Sequence, residues 1–152
     1  MPARRTSRFG ASSAHAVVAD LPAAVTDTHA LLFHAAASRA LGRRAAAHLE
    51  ACERQQALVY VPVAVIWEVS LLARASRINL RRPVQHFFDD LFSNPAYHSF
   101  DLTPAQLYLA DELRFTRDPF DGLIVAAART LALPLLTRDA DIRASGVVRV
   151  IW

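Results

Sequence analysis

Asp27, Glu68, Asp121 and Asp139 are far apart in the chain, but each lies at or just beyond an apolar segment: AVTDTHALLF, AVIWEVSLLA, DPFDGLIVAAA and PLLTRDADI. Carboxylates are rarely buried singly, and several gathered in one place disfavour one another's ionisation unless a cation offsets the repulsion. Oxygen ligands in that number favour Mg²⁺ or Mn²⁺. The chemistry such a centre would serve is metal-dependent hydrolysis.

Three of these acids have a structural alternative. Asp27 at a strand-to-helix turn could simply cap the helix that follows. Asp118, before Pro119, is a still better cap, and Asp121 three positions later would favour the helix dipole. Asp139 could be a turn residue in RDAD, with Asp141 starting a short helical turn. Glu68 is different, because it sits inside the apolar helix PVAVIWEVSLLA, where Val65, Ile66, Val69 and Leu72 cover most of the circumference. A buried carboxylate needs a metal, an arginine or a proton, and Arg74 and Arg77 are too far along the helix for i, i+4 pairing. Metal ligation is the better reading there.

The elements that must position these residues alternate between strand-like and helical runs. Strands are expected at Ala23 to Thr26, Leu58 to Val61, Tyr97 to Leu102, Leu135 to Thr137 and Val147 to Ile151. Helices are expected from Thr28 to about Ala36, Arg43 to Gln55, and Val63 to Ala75 with Pro62 in its first turn. Three more are PVQHFFDDLF, AQLYLADELR behind the cap Thr103-Pro104, and FDGLIVAAARTLA behind Asp118-Pro119. Short connections argue for parallel pairing through right-handed crossovers, hence an α/β fold: a three-layer α/β/α sandwich around a central, mostly parallel sheet. Ligands in such sheets bind beyond the carboxyl ends of the strands, where Asp27 and Asp139 fall.

With 152 residues, 53% of them hydrophobic, the chain is read as one compact domain over 23–152 behind a flexible tail over 1–22. Cys52 is the single cysteine, which removes a disulfide framework or a cysteine-rich zinc site and fits a reducing, cytoplasmic setting. The net charge of +3 belongs to Arg4, Arg5 and Arg8, because the remaining 14 arginines match 14 acids. If the acids gather in one pocket, the rest of the surface is arginine-rich, with local clusters at Arg43-Arg44, Arg74, Arg77 and Arg81-Arg82. A basic surface around an acidic pocket suits a phosphodiester substrate; for any one cluster an ordinary solvated helix face is the alternative. The mildly apolar middle of the opening stretch is broken by Ser12, Ser13 and His15, so it is read as a tail rather than an export signal. No uncharged apolar run is long enough to span a bilayer.

Taken together, these residues resemble the PIN-domain ribonucleases of the VapC toxin type. The matching elements run in order: VTDTHALLF, VPVAVIWEVSLLA, DPFDGLIVAAA, LPLLTRDADI and the closing VVRVIW. The resemblance implies that Asp27, Glu68, Asp121 and Asp139 line a site for one or two Mg²⁺ or Mn²⁺ ions. Asp118 would be an additional acid at its edge, and Thr137 the small hydroxyl residue near it. It implies cleavage of single-stranded or looped RNA, leaving a 5′-phosphate and a 3′-hydroxyl. It also implies a cognate antitoxin that covers the acidic pocket, and a homodimer to which the apolar faces of FFDDLF and LYLADELRF could contribute, unless they are core.

Two positions depart from the family pattern. Gly122 follows DPFD where arginine is common, which removes a cation beside the site, and Phe33 stands where tryptophan is often seen. Gly122 keeps open an alternative, a catalytically weak PIN-fold module for RNA binding or interaction, against which stands the retention of all four acids. A haloacid-type phosphatase would need an acid two residues after Asp27, where His29 stands. His29 is read as a structural helix residue, and His48, His86 and His98 lack the spacing of a zinc site.

Overall fold

The computed structural model describes residues 20–152, so the expected tail over 1–22 lies almost wholly outside the described residues. The elements follow in the order β1 (Ala23–Thr26), α1 (Thr28–Ala35), α2 (Arg43–Glu53), β2 (Leu58–Pro62), α3 (Val63–Arg74) and α4 (Val84–Phe92). They continue with β3 (Tyr97–Phe100), α5 (Pro104–Glu112), α6 (Pro119–Leu131), β4 (Leu135–Leu136), α7 (Ala140–Ser145) and β5 (Val150–Ile151). The sheet has the order β3-β2-β1-β4-β5, and every pairing is parallel. It is flanked by the helices in the expected layered α/β arrangement.

The central strands of a parallel sheet covered on both faces are largely buried, which explains the apolar runs of β1, β2 and β4, whereas His98 and Ser99 of the edge strand β3 are exposed. Val25 pairs with Tyr60 on one side and Leu135 on the other, and Val25, Val59, Val61, Leu135 and Leu136 are fully buried. Helix α6 shares that core. Ile124, Val125, Ala126, Ala127 and Ala128 are all buried, and the small residues let neighbouring backbones approach it closely. Asp118 caps its start, accepting from Phe120 N at 2.8 Å and Asp121 N at 3.2 Å, and Pro119 takes the first position.

Three strands are shorter than their sequence runs suggest, β4 by one residue because it ends at Leu136. β3 stops at Phe100 because its partner strand β2 ends at Pro62, where the chain turns into α3, and the Asp101 carbonyl accepts instead from Gln106 Nε2 at 2.9 Å. Pro62 itself is the last strand residue and the N-cap of α3, not part of its first turn. β5 begins only at Val150, because Gly146 closes α7 in a left-handed conformation (φ +66°) and Val147 is tied to α6 through Arg129. The closing Trp152 lies so near Gly42 that an added Cβ there would fall 2.5 Å from it.

Candidate active site

The chain runs outward through β2 and β3 on one side of β1, and through β4 and β5 on the other, so strand order reverses between β1 and β4. The crevice beyond their carboxyl ends is where open α/β sheets place ligands. Asp27 follows β1 directly, and its N–H donates to Leu136 O at 3.1 Å, which fixes the two strand ends together. Thr137 and Asp139 follow β4, while α3 brings Glu68 to the same crevice and the first turn of α6 brings Asp121, with Asp118 at its cap.

These acids lie close enough to act on one another's ionisation. Burial, and then the carboxylates of Asp118, Asp139, Glu68 and Asp27, push the Asp121 carboxyl up to about 7. Asp27 is 8% exposed, and burial raises its pKa, with a further rise from Asp139. The Thr137 hydroxyl, the Ala30 N–H and the His29 ring favour its ionised form without reversing the shift. Burial raises Glu68 as well, reinforced by Asp118 and Asp27 and opposed by Thr28 and His29. Negative charge is thus concentrated there beyond what neighbouring protein groups offset.

The capping roles and a shared pocket prove compatible, because each cap engages one carboxylate oxygen. Asp27 Oδ1 accepts from Ala30 N at 2.7 Å, and Asp139 Oδ1 accepts from Ile142 N at 2.9 Å as the N-cap of α7. These bonds fix the carboxylates at the crevice and leave the second oxygen of each outside the cap. Thr137 Oγ1 accepts from Asp139 N at 3.1 Å and also faces Asp27, so one hydroxyl links the acids of β1 and β4.

Thr28 escaped the sequence reading. Its hydroxyl lies close enough to Glu68 to favour the ionised form, yet at no hydrogen-bonding geometry; among the described residues it is the fully buried side-chain oxygen left without a partner. The signal was its place beside Asp27 in VTDTH. Among the described residues no three acidic, histidine or cysteine side chains close around a single point. The fit of a divalent cation rests instead on the donor set, which is hard carboxylate oxygens carrying uncompensated charge, with an orphaned buried hydroxyl beside them.

Other expectations change place. His29 is exposed and stands beside the acids, with its ring 6.1 Å from that of Phe33 one turn on along α1. His34 meets Glu53 at 3.0 Å, His48 meets Leu58 O at 2.9 Å, and His98 stacks on Tyr60, so these three have structural partners. A side chain at Gly122 would start against Ala110 of α5, 3.8 Å away, in a cleft already walled by Arg114 and Arg117. The cation missing from that position would therefore rise from the α5–α6 cleft. Phe33 packs edge-on to Trp152, with the Arg138 guanidinium 4.8 Å above its ring.

The fold recurs in solved structures of low sequence identity. VapBC2 from Rickettsia felis, bound to a DNA fragment from its promoter, superposes with a TM-score of 0.60 at 15% identity, over 84% of this chain and 96% of that one. A toxin–antitoxin complex from Klebsiella pneumoniae gives 0.55 at 20% identity, over 82% and 94%. FitAcB from Neisseria gonorrhoeae gives 0.56 at 17% identity, over 83% and 94%. No curated protein matches the chain. The PIN domain model matches residues 24–147, a span that contains every acid of the pocket, and the chain belongs to the PIN domain family.

Proposed function

We propose that this chain is a Mg²⁺- or Mn²⁺-dependent endoribonuclease, acting as the toxin of a toxin–antitoxin pair in the cytoplasm. The observation that carries the proposal is the gathering of Asp27, Glu68, Asp121 and Asp139 at the switch point of the sheet, with Asp118 at the rim, where the pKa values of Asp27, Glu68 and Asp121 are all raised. Asp27, Glu68, Asp121 and Asp139 would hold the cation, which when bound would activate water and stabilise charge on a phosphodiester. The chain's own contribution is placement. The caps on Asp27 and Asp139 fix their carboxylates, Thr137 orients both, and the buried strand ends keep the pocket from collapsing.

Membership of the PIN family supports nuclease chemistry, and the toxin–antitoxin complexes among the similar structures support a protein antitoxin as partner. No helix among the described residues is long and apolar enough to cross a membrane. A homodimer would draw on α5, where Leu107 and Tyr108 are 47% and 71% exposed, and not on FFDDLF, whose Phe87 and Phe88 are core. The test is Mn²⁺-dependent cleavage of pooled cellular RNA by the wild-type chain and by Asp27→Asn, both purified free of partner protein. Cleavage confined to the wild type is the expected result. Equal residual cleavage by both removes the assigned site, and none by either favours the inert module.

A further inference from the structure

A groove of about 780 Å³ opens beside the acids, between α1 and the connection from α3 to α4. Its volume is within the range of clefts that hold small ligands, roughly 300–1,000 Å³. His29 stands at the end nearest the acids, and Leu32 and Leu72 line the wall beyond it. Leu32 follows Thr28 by four residues on α1, as Leu72 follows Glu68 on α3, so each lies on the same helix face one turn on, roughly 6 Å along the axis. The groove thus lies one helical turn beyond the acids, with His29 between them.

The opposite wall is the segment RINLRR, which supplies Arg77, Ile78 and Arg81. Both arginines are exposed, and neither pairs with a carboxylate among the described residues. Arg82 is engaged elsewhere, 3.3 Å from Asp90 and over the Phe87 ring. The backbone of the connection is left-handed at Ser76 (φ 53°) and again at Arg81 (φ 58°), where Asn79 Oδ1 accepts the Arg81 N–H at 2.8 Å. Such a conformation is disfavoured for any residue but glycine and persists only where the surroundings fix it. The backbone at Arg81 is thereby fixed beside a cleft that is apolar inside and cationic at its rim.

A ligand for that cleft needs a flat apolar part and an anionic part. One nucleotide of a single strand has both, whereas in a duplex the bases are stacked away from any side cleft. An extended acidic peptide would meet the arginines but makes no use of the nearby phosphodiester-cleaving pocket. We propose that the groove binds an unstacked nucleotide of the RNA strand next to the scissile bond, its base against Leu32, Leu72 and Ile78 and its phosphate held by Arg77 and Arg81. This rests on the ribonuclease assignment above.

The test measures binding without turnover. Full-length Asp27→Asn is titrated with a short fluorescein-labelled single-stranded RNA, and with the same RNA annealed to its complement, across a series of salt concentrations. Adding Arg77→Ala with Arg81→Ala is expected to weaken single-strand binding about 10-fold and to reduce the salt slope by up to about 1.4, roughly 0.7 for each arginine's contact with a single-strand phosphate. Removing the same charge at Arg43→Ala with Arg44→Ala, on α2, is expected to change affinity less than about 2-fold, because no shaped site is lost there. Arg81→Gly suits the left-handed backbone and should reproduce half of the slope change without misfolding. Equal losses from the two pairs, an unchanged slope, or duplex bound as tightly as single strand overturns the proposal. So does binding of a short acidic peptide that the Arg77/Arg81 variant loses while RNA affinity is unchanged, which assigns the groove to a protein. Binding through the groove by a wild-type chain that cleaves no RNA would overturn the ribonuclease assignment alone.

Discussion

Glu53 and Glu68 are both helix glutamates of one small domain, and their surroundings differ in what compensates them. Glu53, at the end of α2, accepts the Tyr97 hydroxyl at 2.6 Å and meets the His34 ring at 3.0 Å. Burial works to raise its pKa, but Tyr97 and His34 outweigh burial and hold it below the usual glutamate range. Glu68 has Thr28 and His29 nearby, and these do not outweigh burial and the carboxylates of Asp118 and Asp27. The chain therefore completes one carboxylate with its own groups and leaves another set facing chiefly itself. Uncompensated acids cost stability, and several of them at a strand switch point are where the proposed cation would supply the missing charge.

The largest effect that would break this contrast is on cleavage. Asp27→Asn and Glu68→Gln are each expected to lower Mn²⁺-dependent RNA cleavage by at least about 100-fold, since even residues that only support metal ligands cost up to that much. Glu53→Gln should leave the rate within about 2-fold, as it touches only structural partners. A Glu53→Gln chain as inactive as Glu68→Gln would erase the distinction.

The two regions should also respond to pH with opposite sign. Asp121 has a raised folded-state pKa of about 7, against an ordinary 3.8 when unfolded. The stability it contributes is fully present below the unfolded value and is lost as pH rises through about 7. In chelator, thermal unfolding of the wild type should therefore fall between pH 4 and pH 8 relative to Asp121→Asn, by at least about 4 °C. Glu53 has a lowered folded pKa, so its contribution is present above the ordinary glutamate value and is lost as pH falls through the folded one. Parallel curves for wild type and Asp121→Asn would contradict the assignment of uncompensated charge to this pocket.

Smaller effects sharpen the contrast on the structural side. Glu53→Gln should destabilise the fold by about 1 kcal/mol in urea unfolding, the usual worth of a charge-assisted hydrogen bond at a half-exposed site. Gly122→Ala should stabilise it by about 0.5–1 kcal/mol, because the site is helical and has room for a methyl group against Ala110. A destabilised Gly122→Ala would show that α5 and α6 meet more tightly than the 3.8 Å approach indicates.

What could be read from sequence was what local chemistry decides. Thr103-Pro104 and Asp118-Pro119 announce helix starts because capping involves residues two or three apart, and both caps form. Buried strands such as LVYV and LL declare themselves by composition, and Asp27 and Asp139 stand at strand ends where an α/β fold puts its sites. Tertiary decisions were not legible. Whether Phe87 and Phe88 face the core or a partner depends on what packs over α4, and the end of β3 depends on where the neighbouring β2 turns into α3. Thr28 looks like any helix-start threonine until Glu68 arrives from another helix, and Gly122 looks like a gap beside the acids until α5 is seen against it.

Calorimetric titration of Mn²⁺ into the metal-stripped chain tests the assignment of the acids most directly. Saturable binding is predicted for the wild type and for Glu53→Gln, and its loss is predicted for Asp27→Asn and Glu68→Gln. Equal Mn²⁺ affinity in the wild type and in both of those pocket variants would contradict it.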